Sequence, residues 1–148
     1  MSPRIPFFGL TACVLCAPAL AGTYTVGGTG GYTTIQDALD DANKDNDVVE
    51  VHAGTYTECL VPRDKRITIT DAGSGTVTVQ CTTASTPAID AGRDLTVQGI
   101  TIESADVGID DPGRAVTLID VVLTATSTGV QATEVDDTGS TISASVGV

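Results

Sequence analysis

From Asp47 onward the chain alternates between apolar and polar positions. Val49-Glu50-Val51, Ile67-Thr68-Ile69, Val77-Thr78-Val79, Leu95-Thr96-Val97, Ile100-Thr101-Ile102, Val116-Thr117-Leu118 and Val121-Val122-Leu123 are short runs with an aliphatic residue at every second position. A period of two places those residues on one face of an extended strand, and Thr suits the opposite, solvated face. Gly, Asp, Pro and Ser separate the runs as turns require, and Gly54-Thr55-Tyr56 reads as one such turn. One segment has a different period. Ile35, Ala38, Leu39 and Ala42 recur at i, i+3, i+4 and i+7, which predicts a short helix near residues 34–43 with one apolar stripe. Thr33 and Gln36 have the spacing of a capping box, while Asp37, Asp40 and Asp41 fall on the outer side. Ahead of the helix, Tyr24 and Val26 alternate as in an edge strand before a glycine turn.

The strands themselves recur. Ile89-Asp90 followed by Gly92-Arg93 returns as Ile109-Asp110 followed by Gly113-Arg114. Leu95 to Val116, Val97 to Leu118, Ile100 to Val121, Ile102 to Leu123 and Gly108 to Gly129 are each 21 residues. A repeat of that length, built of short strands and turns, implies a solenoid. One coil cannot bury its inner face alone; stacked coils form an apolar ladder, and each strand pairs with its equivalents in the neighbouring coils. Four or five coils are expected. Cys59 and Cys81 lie 22 residues apart, about one coil. They would face each other across a spacing of ~4.8 Å, either as a disulfide or as two buried thiols.

Two motifs open this array. Thr33-Thr34-Ile35-Gln36-Asp37-Ala38-Leu39, then Val49-Glu50-Val51-His52-Ala53-Gly54-Thr55-Tyr56-Thr57-Glu58, resemble the entrance of right-handed parallel β-helix proteins, the pectin-lyase-like superfamily that includes the pectinesterases. The resemblance spans residues 23–70 by motif and the remainder by repeat. It implies an all-β fold: a single-stranded right-handed parallel β-helix with a short N-terminal capping helix. Tyr56 and Glu58 match the entrance motif as structural residues. The resemblance carries over no catalytic residue. The two Asp, the Gln and the Arg that pectinesterases bear on later coils, in motifs of the "DFIFG" kind, have no counterpart here, and such enzymes continue well past this length.

The first 21 residues are apart from this pattern. Arg4, an apolar run from Ile5 to Leu20 and the Ala19-Leu20-Ala21 step read as a secretory signal ending at residue 21. Pro6, Gly9 and Pro18 interrupt the run too often for a membrane-spanning helix. Leu10-Thr11-Ala12-Cys13 offers a second reading as a lipobox. The domain division is therefore a signal over 1–21 and a β-helix over 22–148, the front part of a longer solenoid. The predicted location is extracellular or on the cell surface, an environment where a Cys59–Cys81 disulfide persists. Loss of Arg4 would move the net charge from −12 to −13. An anionic chain of that kind is repelled by nucleic acid and by anionic lipid, so neither is expected as a partner, nor is membrane insertion after signal removal.

Candidate chemistry is sparse. Asp90 and Asp110 occupy equivalent turns of adjacent coils, which would place them about 5 Å apart, the separation a retaining glycosidase uses. Arg93 and Arg114 would stack beside them. The competing reading is a repeated turn in which Asp bonds its own backbone, Gly supplies positive φ and Arg neutralises the Asp column. Asp41, Asn43, Asp45 and Asp47 have the 1, 3, 5, 7 spacing of a calcium loop, but Asn46 replaces its glycine and His52 its final Glu. Asp110-Asp111 and Asp136-Asp137 are further surface pairs for calcium; no other cofactor is implied. The outward Thr residues suggest the flat face of ice-binding β-helices, yet Thr68-Ile69-Thr70 becomes Thr96-Val97-Gln98 and Thr117-Leu118-Ile119. His52, the only His, has no Ser or Cys partner at a recognisable spacing, and no phosphate-binding loop is present. The three Tyr beyond the signal precede Gly75, which disfavours an aromatic sugar platform.

Two functions follow as expectations. One is a structural or adhesive surface repeat protein that associates with itself through an open last coil. The other is a carbohydrate-active enzyme, or the remnant of one, acting on acidic polysaccharide.

Overall fold

A computed structural model describes residues 20–29 and 31–144. The expected signal, with Arg4, Cys13 and Cys16, lies outside them except for Leu20 and Ala21. The strands are β1 (Thr23–Val26), β2 (Asp47–Val51), β3 (Gly54–Tyr56), β4 (Ile67–Asp71), β5 (Val77–Cys81), β6 (Ile89–Asp90), β7 (Leu95–Gln98), β8 (Ile100–Ser104), β9 (Ile109–Ile119), β10 (Val122–Ala125), β11 (Val130–Thr138) and β12 (Thr141–Ala144). A single helix, α1 (Ile35–Asp41), separates β1 from β2.

Every strand pair is parallel. One sheet runs β1-β2-β4-β7-β9-β11 with β6 beside β9, and the other runs β3-β5-β8-β10-β12. The chain passes from one sheet to the other and back in each coil, which makes a parallel β-solenoid of about six turns. Four or five were expected. The early coils do not show the 21-residue repeat because coil length varies: Thr23 pairs with Val48, Asp47 with Ile67, Ile67 with Leu95 and Leu95 with Val116, separations of 25, 20, 28 and 21 residues. Only the later coils keep the period that the sequence displays. Gly54–Tyr56, read as a turn, is strand β3 and pairs with Val77–Val79.

The inward residues stack in register. Val49, Ile69, Val97 and Leu118 form one ladder, each with no exposed surface, and Val79, Ile102 and Leu123 form its counterpart in the second sheet. Burying each such side chain contributes ~1.5–3 kcal/mol. On the outside, Thr68, Thr96 and Thr117 stack, whereas the next outward position changes from Thr70 to Gln98 to Ile119. The ladders end in polar or exposed residues. Leu118 pairs with Asp137, and Ile142, paired with Leu123, is 41% exposed. On β11, Glu134, Val135, Asp136 and Asp137 are exposed.

The helix start is assembled from two coils. Thr34, one residue beyond the expected Thr33, is the N-cap and accepts from Asp37 N–H at 3.1 Å. Glu58 accepts from the backbone N–H of Ile35 at 2.8 Å and of Gln36 at 2.9 Å, one with each carboxylate oxygen. A charged acceptor from the next coil thereby satisfies amides that have no partner inside the helix. Gln36, expected to complete the capping box, instead accepts from Val61 N–H at 2.9 Å and donates to Asp40 at 3.0 Å. Ile35, Ala38 and Leu39 are buried over the first coils, and Asp37, Asp40 and Asp41 face out.

Candidate functional site

The side chains singled out in the sequence converge on one corner of the solenoid, between β6 and β7 in one coil and within β9 in the next. Asp90 and Asp110 are in register across the β6–β9 pair, and Gln131 of β11 continues the row. Asp90 is exposed; Asp110 is half-buried and its Oδ1 has no hydrogen-bond partner. The arginines do not neutralise this row. Among the described residues the one ion pair is Arg63 Nε with Asp40 Oδ1, at 3.2 Å. The corner explains the difference. From Ile109 to Val116 is one residue more than from Ile89 to Leu95, and the extra length is taken up at Pro112-Gly113-Arg114. Gly113 has φ +87°, while Gly92 does not adopt the left-handed region, so the two turns are not copies of each other.

Asp111 is the residue that the sequence pattern misplaced. Expected beside Asp110 as a surface pair, it has no exposed surface and neither carboxylate oxygen has a partner. Two residues on from the buried Ile109, it belongs to the inward row, in register with Ala132 and one step past the Asp90–Asp110 pair beside Ala91. Burial pushes its carboxyl up to about 6, with Asp94, Asp110 and Asp90 adding to the rise and Arg114 opposing it. The signal was available: Ile109, Asp111 and Ala91 obey the same period of two as the core.

In the acidic stretch before β2, Asp45 and Asp47 bind backbone amides and Asp41 binds a side chain. Asp41 accepts from the Tyr32 hydroxyl at 2.8 Å, and Asp45 accepts from Arg66 N–H at 3.1 Å, which holds its carboxyl below the ordinary range. Asp47 is fully buried and accepts from Gly22 N–H at 2.6 Å and Lys44 N–H at 3.0 Å. Asn46 does adopt a left-handed φ of +70°, as a loop glycine would, but the carboxylates around it point to different donors. No group of three or more His, Cys, Asp or Glu side chains is placed to hold a metal ion among the described residues. Asp136 and Asp137 are exposed, and Asp137 accepts from Ser140 N–H at 3.3 Å.

Cys59 and Cys81 are joined, with 2.00 Å between their sulfurs and 4.8 Å between their Cα atoms. Cys81 also borders a groove of about 350 Å³ on the second sheet, lined by Gln80, Thr82, Glu103, Ser104, Ala105 and Thr124. Neither Asp90 nor Asp110 reaches this groove. Its one carboxylate, Glu103, accepts from Gln80 Nε2 at 2.8 Å. Tyr24 lies in β1, the edge strand expected for it, and Tyr56 in β3; both precede the regular coils. They are half-buried near the helix, and the Tyr56 hydroxyl donates to the His52 carbonyl at 2.9 Å. His52 is half-buried just past β2.

These features define a parallel β-solenoid protein in which Asp45, Asp47, Glu58, Asp71 and Asp137 bind backbone amides. No family model matches the chain, and no curated protein or solved structure matches it either.

Proposed function

We propose that the protein is an extracellular or cell-surface β-solenoid with a structural or adhesive role and no catalytic one. The observation that carries this reading is the assignment of its carboxylates. Glu58 caps the helix, Asp47 and Asp45 bind turn amides, Asp71 accepts from Gly73 N–H, and Asp137 from Ser140 N–H. Such groups brace corners and coil junctions. A general acid or nucleophile needs a carboxyl aimed into a cleft beside substrate. Export is supported by the pattern of residues 1–21 and by the Cys59–Cys81 disulfide, a bond that persists in oxidising compartments. Membership of the pectin-lyase-like superfamily is part of the same proposal and rests on the helix and Gly54–Glu58 motifs. No helix among the described residues is long and apolar enough to cross a membrane.

One observation favours a second reading, an enzyme or enzyme remnant acting on acidic polysaccharide. Asp90 and Asp110 are in register on adjacent strands, about 5 Å apart. Incubation of the purified chain with methylated and de-esterified pectin separates the two. The structural reading predicts no turnover. Turnover abolished by Asp90→Asn or Asp110→Asn would establish the enzyme.

A further inference from the structure

We propose that Asp111 is a pH-sensitive fastener between coils, holding the β6–β9–β11 stack firm when protonated and loosening it when ionised. The geometry is that of a carboxyl placed where the neighbouring coils have alanine. Ala132 is its register partner, Ala91 follows the Asp90–Asp110 pair in the preceding coil, its surface is fully covered, and both of its oxygens are without a partner. An uncompensated anion in such a place is strongly disfavoured, whereas a neutral carboxyl is tolerated at the lower penalty of an unpaired polar group.

Three of the four surrounding charges act in the same direction. Asp94 precedes β7, Asp110 is on the same strand, and Asp90 lies on β6; all three raise the carboxyl's proton affinity. Arg114 is the facing cation that lowers it, and its side chain is exposed at the bulged corner. On β11, the nearest charged group by register is Glu134, opposite Ala115. The β9–β11 ladder also shifts register between Ala132 and Glu134, beside the buried carboxyl. A charge at Asp111 therefore bears on a junction that is already irregular.

The direction of the pH dependence follows by linkage. The folded carboxyl titrates at about 6 against an ordinary value of 3.8, so between those values the native state binds more protons than the unfolded chain. The contribution of Asp111 is greatest below this window, falls as pH rises through it, and changes no further above about 6. Asp40 and Asp45 have the opposite sense. Their carboxyls are held below the ordinary value, so their contribution is lost only as pH falls below it.

Urea unfolding of the full chain at pH 4.5 and pH 7.5 tests the proposal, comparing wild type with Asp111→Asn and Asp111→Ala. The alanine variant continues the Ala91–Ala132 row and guards against an amide that folds poorly. Wild type is expected to lose roughly 10- to 100-fold in its folded-to-unfolded ratio because of this group, and either variant removes that part of the loss. Carboxyl carbon NMR of wild type reads the same proton directly, with a midpoint near 6 expected for Asp111. Variants that keep the wild-type pH profile, or an Asp111 midpoint below 4, would overturn it.

Discussion

Gly108→Ala is expected to be among the most damaging single substitutions in the chain, with a loss of about 3 kcal/mol or more. Gly108 is buried at the start of the coil that contains β9, stacked on Gly129 of the next coil, which accepts from Ile109 N–H. A methyl at Gly108 would collide with the Gly129 carbonyl oxygen and would stand 2.7 Å from Leu123 Cδ2. The first obstacle is backbone held by the parallel ladder, so relief requires the coils to part. Gly73→Ala is the control: it has open space around it but a φ of +68°, so its loss is only the ~1–2 kcal/mol of a left-handed alanine. Urea midpoints of the two variants check the comparison. A Gly108→Ala protein no less stable than Gly73→Ala would mean that the two glycines are not stacked.

Removal of the Cys59–Cys81 bond carries the second large effect. It closes a loop of 22 residues, and constraining an unfolded chain over that length is worth about 3 kcal/mol. Paired Cys59→Ser and Cys81→Ser substitutions are expected to lower the unfolding free energy by that amount, seen as a lower urea midpoint, and reduction of wild type should do the same. The bond ties the coil that holds β3, which has only three residues to pair with β5, to the next coil. An unchanged midpoint on reduction would contradict the bond's role.

The features legible in the sequence are those in which period and register coincide. Leu95 to Val116 and Ile100 to Val121 are separated by one coil because both belong to the regular stretch, and the structure pairs β7 with β9 and β8 with β10 in that register. The early coils were obscured by their unequal lengths, with the helix inserted between β1 and β2. Local spacing also favoured Gln36 as the helix-capping partner. Glu58, 23 residues from Ile35, provides the charge-assisted bond instead, a contact that only the stacking of coils can bring about. Asp111 was missed for a different reason. Reading Asp110-Asp111 as a surface pair ignored the alternation that turns adjacent strand residues to opposite faces. The same alternation buries Asp47 with Val49 and Val51.

The connections between successive short strands bear most directly on the account. Leu95–Gln98 and Ile100–Ser104 are separated by Gly99 alone, yet they belong to different sheets. Gly99, Asp120 and Gly139, with φ of +67°, +52° and +76°, turn the chain from one sheet to the other in three successive coils. Inter-strand proton NOEs settle whether this is a stack of coils or a run of hairpins. The solenoid predicts parallel contacts of Thr96 with Thr68 and Thr117, and of Thr101 with Thr78 and Val122. Antiparallel contacts between Leu95–Gln98 and Ile100–Ser104 would contradict it.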